Sequence, residues 1–213
     1  GMKVLCVSLE DLTIKKEFEL DHGAIVHFGN AFEENNEIIV DAMYQDNFTA
    51  NETLIDVFNP EGRFGGGIYK RYALSLVTGQ AKEEIISDNE SEFPTFNNKL
   101  TGSRHQCTYT ACSIDNGANG FFNAFQKISH DQKAELVTLP PGFYGSEPMF
   151  APKKEAKKED DGYLLNVIYD AFSHTSHLAI FLAQSPDERV CSLKLKHHLP
   201  HQFHGYFTER VFC

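Results

Sequence analysis

Short runs in which apolar and polar residues alternate with a period of two constrain this chain more than any other feature. The acidic pair Glu10-Asp11 separates the run 3–9 from the run 13–20, and this spacing predicts a β-hairpin. Similar runs extend over 24–30, 37–44, 68–77, 80–87, 106–113, 134–139, 162–170, 177–184 and 190–196. Strands that recur about every 8–12 residues are typical of an all-β sandwich, barrel or propeller.

Length and charge limit what such a fold does. The 213 residues suffice for one domain spanning 1–213. A formal charge of −11 argues against nucleic acid or an anionic membrane surface as the main partner. No stretch approaches the roughly 18 apolar residues of a membrane span, and the N-terminal residues lack the charged and apolar regions that a signal peptide would show. Because the five cysteines are odd in number and lack a C-x-x-C motif, we expect a reducing, cytoplasmic location.

The histidines of the segment 197–204 are the first candidate for chemistry. Four of the ten histidines fall in this short segment. Such a cluster suggests a zinc site, and a zinc-binding β-sandwich is one interpretation of the chain. Pro200 disfavours the continuous helix that would align ligands three residues apart. A solvated polar turn is therefore the competing interpretation.

A second candidate is His27, which lies in the apolar predicted strand 24–30. An isolated histidine in a strand is more often a hydrogen-bonded core residue than a ligand. A cupin-like site would require His-x-His, but position 29 is Gly, which weakens that interpretation. Glu92 and Glu147 stand beside prolines at strand-like positions, where a carboxylate is usually exposed. If they are buried they must be paired, and accepting an N–H from a metal-bound imidazole is one way to pair them.

Five segments, taken in order, resemble one family. The run HFGNAFEE at 27–34 is similar to the family's segment around an iron-binding histidine, and FHG at 203–205 is similar to its terminal segment, which contains another. EFPTFN at 92–97 and GSEPMFAP at 145–152 are similar to segments that supply glutamates around the metal. EDDGYLL at 159–165 follows a charged loop, as in the family. The family is that of the iron(II)-dependent carotenoid oxygenases, which includes carotenoid and lignostilbene dioxygenases and the retinoid isomerase of the visual cycle.

The resemblance implies a fold and a site. The family has a seven-bladed β-propeller with a four-histidine iron centre on its axis, and this chain resembles about three to four of the later blades. His27 and His204 would then be iron(II) ligands, with Glu92 and Glu147 orienting the imidazoles. Phe203 would line an apolar substrate tunnel, although core packing explains it equally well. The implied reaction is oxidative cleavage of a C=C bond in an apocarotenoid- or stilbene-type alkene with O2.

The resemblance also leaves alternatives open. The family's other two ligand histidines lie upstream of the segment that this chain resembles, so we expect weak iron binding by the isolated chain. It would then need a partner, either a second copy in a homo-oligomer or an N-terminal half. A non-catalytic remnant or structural half is the alternative to an enzyme. The substrate and the cleaved bond are not defined by these residues.

Overall fold

The computed structural model describes residues 1–48, 66–114, 121–130 and 134–210. Within these ranges the chain folds into β-strands and one short 3-10 helix, Asn98–Leu100. The strands are β1 (Met2–Val7), β2 (Ile14–Leu20), β3 (Ala24–Glu34), β4 (Glu37–Gln45), β5 (Gly67–Ser75), β6 (Ala81–Thr95), β7 (Cys107–Cys112), β8 (Ala124–Ser129), β9 (Glu135–Thr138), β10 (Phe143–Tyr144), β11 (Met149–Pro152), β12 (Gly162–Asp170), β13 (Thr175–Leu182) and β14 (Arg189–Lys194).

All the strand pairs between these elements are antiparallel, as the sequence predicts. Strands β1 and β2 form the predicted hairpin, with Met2 opposite Leu20. Strands β3 to β9 follow one another in a seven-stranded sheet, and β10 to β14 form a five-stranded sheet in which both β10 and β11 pair with β12. Within the described residues, no helix is long and apolar enough to cross a bilayer.

The long strand β6 divides the seven-stranded sheet into two units. Strand β5 pairs with the part of β6 from Ala81 to Ser91, whereas β7 pairs with the part from Ser91 to Thr95. A register shift between Glu92 and Thr95 marks a bulge, and Phe93 within it has a φ of 57°. Because a bulge bends its strand, β6 closes one group of strands and opens the next. Three successive units result, β3–β6, β6–β9 and β10–β14, and they are antiparallel blades of a partial propeller.

The first blade, β3–β6, packs against neighbouring elements on both of its faces. Tyr72 and Leu74 contact Phe18 of the β1–β2 hairpin in one apolar cluster. Met43 and Tyr69 point to the opposite face and join a second cluster with residues of the following blade. Strand alternation produces this division, since successive side chains point to opposite faces of a sheet. The first blade is therefore held between the hairpin and the second blade.

Aromatic side chains join the second blade to the third. Phe125 of β8 lies against Phe181 of β13, with ring centroids 4.8 Å apart. Tyr109 of β7 stacks on Phe150 of β11 at 5.9 Å. Three of these four rings are at most 5% exposed, and burying each contributes about 1.5–3 kcal/mol. These two contacts fix the position of the second blade relative to the third.

Candidate metal centre

The predicted site residues come from four separate segments and meet at one place. His27 lies on β3, Glu92 at the bulge of β6, Glu147 just before β11, and His204 in the C-terminal tail. The two imidazole Nε2 atoms approach to 3.3 Å across 177 residues of sequence. The predicted approach of His27 and His204 is confirmed, whereas their role as metal ligands stays a prediction.

His27 is held by a buried carboxylate. Its Nδ1 lies 2.8 Å from Oε2 of Glu92, and residue Glu92 is only 3% exposed. The second oxygen of Glu92 accepts a hydrogen bond from Nε2 of Gln45 at 3.4 Å. Because a carboxylate accepts and does not donate when ionised, it assigns the proton of a neutral His27 to Nδ1. The lone pair of Nε2 then points away from Glu92, towards His204.

His204 has the same arrangement, but its carboxylate partner lies further from the ring. Its Nδ1 lies 3.4 Å from Oε1 of Glu147, and the other oxygen of Glu147 accepts the backbone N–H of Gly205 at 2.6 Å. A Cβ on Gly205 would meet the sulfur of Met149, so glycine lets the tail lie close to this side chain. Half of the His204 side chain remains exposed, compared with 17% for His27.

The donor set fits a divalent transition metal. With both Nδ1 protons directed at carboxylates, the two Nε2 lone pairs face each other at 3.3 Å. Two lone pairs at this distance repel unless a proton or a metal ion lies between them. Their separation would allow both atoms to bind one ion with metal–nitrogen bonds of about 2.1 Å. Carboxylates behind each imidazole are the usual outer support of such ligands.

Aromatic rings enclose the histidine pair. Phe93 lies 5.1 Å from the His27 ring and 5.4 Å from the His204 ring, and it is 3% exposed. Phe203 lies 5.7 Å from His27 and 4.6 Å from His204, but it is 50% exposed. Phe203 therefore presents an open apolar face beside the histidines. This position is compatible with the substrate-lining role predicted for it, which stays a prediction.

The zinc cluster that the histidines of 197–204 suggest does not form. His201 stacks on Phe121 at 4.0 Å, and burial lowers the pKa of His201. His198 packs against Tyr169 at 5.1 Å, whereas His204 turns to His27. In the part of the chain that the structure describes, no metal-holding group of side chains falls in this segment. The zinc interpretation is wrong because each of these rings has a different neighbour.

Sequence reasoning missed a second polar cluster, formed by Asp41, His105 and His130. Their ligand atoms all lie within 4.8 Å of one another, a spacing that is able to hold a metal ion. Arg71 already donates to both oxygens of Asp41, at 2.7 and 2.8 Å, and to Nδ1 of His130 at 2.7 Å. A divalent cation here would face the fixed charge of the guanidinium. We therefore interpret the cluster as a hydrogen-bonded network, for which the only sequence signal is that Asp41 and Arg71 sit on neighbouring strands.

Burial keeps both histidines of this network neutral. Desolvation lowers the pKa of His105 to about 4 and that of His130 to about 4. Desolvation is the largest cause of both shifts; Arg71 contributes to them in the same direction, while Asp41 opposes them. Neutral imidazoles allow Nε2 of His105 to donate to Asp41, 3.3 Å away. The network is thus electrically balanced as one carboxylate and one guanidinium.

Fold and site together define a class: a β-propeller whose converging strand segments carry imidazoles backed by carboxylates. A sequence profile of the family described as retinal pigment epithelial membrane protein matches residues 5–209. The chain belongs to this family, which is the carotenoid oxygenase family that the sequence motifs resemble.

Relatives and solved structures agree with this assignment. The chain is 29% identical over 198 residues to apocarotenoid-15,15'-oxygenase of Synechocystis, covering 91% of this chain and 40% of the relative. It is 28% identical to carotenoid 9,10(9',10')-cleavage dioxygenase 1 of Arabidopsis thaliana, covering 90% and 37%. The crystal structure of cobalt-substituted Synechocystis ACO superposes with a TM-score of 0.77 at 26% identity, covering 89% and 40%. The chain thus spans about two fifths of the length of these relatives.

Proposed function

We propose that this chain forms part of the iron(II) centre of an oxygenase that cleaves a C=C bond in an apocarotenoid- or stilbene-type substrate. The carrying observation is the approach of His27 and His204 through their Nε2 atoms, each with a carboxylate behind it. The names of the relatives support the substrate class, since they describe cleavage of carotenoids and apocarotenoids.

Neutral imidazoles suit iron(II), and a first shell of histidines leaves the charge of the ion uncompensated. Glu92 and Glu147 would offset that charge from behind the imidazoles, through Nδ1, and hold the rings in one orientation. Iron(II), when bound, supplies the O2 chemistry that side chains alone do not provide. A solved relative is described as cobalt-substituted, which supports cobalt(II) as a probe ion for this site.

The reaction balances without a further reductant. The C=C bond of the alkene and the O–O bond of O2 break, and two C=O bonds form, one on each former alkene carbon. Phe93 and Phe203 provide an apolar wall beside the histidines, suited to the flat face of a conjugated alkene. Their side chains would also keep water away from the reacting atoms.

Metal binding tests the proposal first. Cobalt(II) titrated into the purified protein and followed by its visible absorption should bind at the histidine pair. His27→Ala and His204→Ala should each abolish this signal. His22→Ala is the matched control, because His22 is an exposed histidine five positions from His27. Equal binding by all four proteins would contradict the proposal.

Catalysis is tested separately with iron(II)-loaded protein, an apocarotenal or a stilbene, and 18O2. Two carbonyl products with the label in both are the expected result. Binding of iron at the pair without cleavage would favour the second candidate, a structural part of an oxygenase. The half-exposed side chain of His204 favours this candidate, because its open side leaves room for further ligands from elsewhere.

Exposed apolar side chains support the further proposal of a partner. Leu5, Val7 and Ile14 of the β1–β2 hairpin and Phe28 of β3 are between 42% and 62% exposed. Exposed apolar surface commonly marks an interface when it is extensive. A second copy of the chain or an N-terminal half of the family would cover it. Sedimentation at micromolar concentration should show a homo-oligomer if the second copy is the partner, and a strict monomer would exclude that partner.

A reducing, cytoplasmic location is also proposed. Cys6, Cys107, Cys112 and Cys191 are free thiols in the described residues. Burial raises the pKa of Cys107 to about 11 and that of Cys112 to about 12, so both remain protonated and unreactive. Thiol titration should find these cysteines free in protein purified without reductant.

A further inference from the structure

We propose that Asn30 is a positioning residue that holds the strand carrying His27 in the conformation that aims its Nε2 at the metal. This inference rests on the proposed function for its purpose, but its structural part stands on the contacts of Asn30 alone. It assigns a role to a buried polar side chain that has no contact with the metal ligands themselves.

The strand needs such support because its pairing fails around His27. Strand β3 is in register with β4 at Ile25, Phe28 and Ala31, and the register shifts in both intervals. In each interval β3 uses three residues where β4 uses two, which is a bulge with one extra residue. The backbone at His27 therefore lacks the regular ladder that fixes an ordinary strand.

Asn30 replaces the missing ladder with side-chain hydrogen bonds. Its Nδ2 donates to the carbonyl oxygens of Leu100 and Ser103, at 3.1 and 2.8 Å. Its Oδ1 accepts the backbone N–H groups of Ala31 and Gly102, at 3.0 and 3.1 Å. Both amide protons and both lone pairs are used, and the side chain is 3% exposed. Asn30 thus clamps β3 to the loop that follows the short 3-10 helix.

The loop that Asn30 binds is itself fixed from behind. His105 at the end of this loop lies 3.3 Å from Nδ2 of Asn30 through Nδ1, and 3.3 Å from Asp41 through Nε2. Arg71 holds Asp41 with two hydrogen bonds. The clamp therefore lies against β4 and β5 through Asp41, which has no exposed side-chain area, and Arg71, whose side chain is 21% exposed. Such anchoring makes the loop a rigid support for β3.

Gly29 adds a close contact in the same segment. A Cβ at position 29 would lie 2.7 Å from the hydroxyl oxygen of Tyr69. That hydroxyl is hydrogen bonded to Oγ1 of Thr108 at 3.0 Å and is not free to move away. Strand β3 can approach this hydroxyl because residue 29 is glycine. The contact sets how closely β3 approaches Tyr69, while the hydrogen bonds of Asn30 set the direction in which the strand runs.

Asn30→Asp tests the inference, since it keeps the shape of the side chain but removes both donors. Nitrogen-15 NMR of the imidazoles should show the Nδ1–H of His27, hydrogen bonded to Glu92, in the parent protein and its loss in Asn30→Asp. Cobalt(II) affinity should fall about 10–100-fold, as for other residues that support metal ligands. Asn97→Asp is the matched control, because Asn97 is also buried and caps the same 3-10 helix at Lys99, whereas its side-chain amide donates to the carbonyl of Glu159.

The outcomes are distinct. Asn97→Asp should lower the melting temperature yet preserve the Nδ1–H signal of His27. An unchanged His27 signal in folded Asn30→Asp, or its equal loss in Asn97→Asp, would overturn the inference. If the parent protein binds no cobalt(II) at His27, the proposed metal site fails, while the NMR comparison still decides the role of Asn30.

A measurement on the unsubstituted protein guards against variants that do not fold. The amide of Gly102 donates to Oδ1 of Asn30. It should exchange with solvent deuterium as slowly as amides of the β3–β4 ladder. Rapid exchange of Gly102 would show that the clamp is open in solution and would also overturn the inference.

Discussion

The two halves of the histidine pair are held in contrasting ways. His27 lies on a strand, and its carboxylate partner Glu92 is buried at 2.8 Å. His204 lies in the C-terminal tail, half exposed, and its partner Glu147 is at 3.4 Å. The tail also has an anchor at Leu199, whose N–H and C=O both bond Ser176. One histidine is thus part of a blade, and the other reaches it from the C-terminal tail.

This contrast distinguishes residues that affect both folding stability and metal affinity from residues that affect metal affinity alone. Changes around His27 act on a buried region and should cost folding free energy as well as metal affinity. Changes around His204 act on the tail and should cost metal affinity alone. The predictions below test this division.

Phe93 and Phe203 offer the largest expected difference. Both rings touch the histidine pair, but Phe93 is 3% exposed and Phe203 is 50% exposed. Phe93→Ala should lower the free energy of unfolding by about 3–5 kcal/mol, because it opens a cavity in the core. Phe203→Ala should lower it by less than about 1 kcal/mol. Urea denaturation measures both, and equal losses would remove the distinction between the two halves.

Glu92 and Glu147 separate stability from metal binding. Glu92→Ala leaves the Nδ1–H of His27 without its acceptor, which should cost about 1–3 kcal/mol of unfolding free energy. Its cobalt(II) affinity should also fall, by about 10–100-fold.

Glu147→Ala should show the affinity loss at the lower end of that range with little change in unfolding free energy. Isothermal titration and denaturation on the same samples give both quantities. A larger stability loss for Glu147→Ala than for Glu92→Ala would reverse the assignment of the two halves.

Acid should loosen the His27 half through the network behind it. The pKa values of His105 and His130 are lowered to about 4 in the fold, below the ordinary value near 6.5. The unfolded chain therefore binds protons first, and stability that is fully present above about pH 6.5 is lost as the pH falls towards 4. Arg71, Asp41 and Tyr69 are the ionisable groups facing them.

We expect a loss of about 2 kcal/mol for each histidine, and up to about 4 kcal/mol for both, between pH 7 and pH 5, measured by urea denaturation. His105→Gln should flatten this dependence, because one of the two titrating groups is gone. An identical pH profile for His105→Gln would show that the network does not titrate as described.

Gly205 gives the smallest effect and reports on the tail alone. In Gly205→Ala the new methyl group would meet the sulfur of Met149, a flexible side chain that can partly yield. Cobalt(II) affinity should fall less than about 10-fold, with the unfolding free energy unchanged. The double variant with Met149→Ala should restore the affinity, because the obstacle is removed. Failure of this rescue would mean that the tail is not seated against Met149.

Alternation predicts most of the strands but not β8, β10 or β11. The β1–β2 and β12–β13 hairpins lie where the sequence predicts them. Strand β8 was missed, because its buried Gln126 and Lys127 hide the apolar pattern. Gln126 is bonded to Thr110 at 3.0 Å and Lys127 to Asp160 at 3.0 Å, so tertiary partners permit their burial. No local sequence pattern predicts such tertiary partners.

The candidate site, like the strands, is predicted only in part by the sequence. The family resemblance named His27, His204, Glu92 and Glu147, and the structure brings these four together. The bulges beside His27 and at Phe93 follow no period-two pattern, so alternation alone could not predict which way these side chains point. The buried network around Asp41 depends on contacts between two blades. Pairing of that kind is decided by the tertiary fold.

Anomalous diffraction from cobalt(II)-soaked crystals tests the central claim most directly. We expect one strong peak about 2.1 Å from Nε2 of both His27 and His204, with Nδ1 of His27 facing Glu92 and Nδ1 of His204 facing Glu147. A peak among Asp41, His105 and His130 instead, or none near the histidine pair, would contradict it.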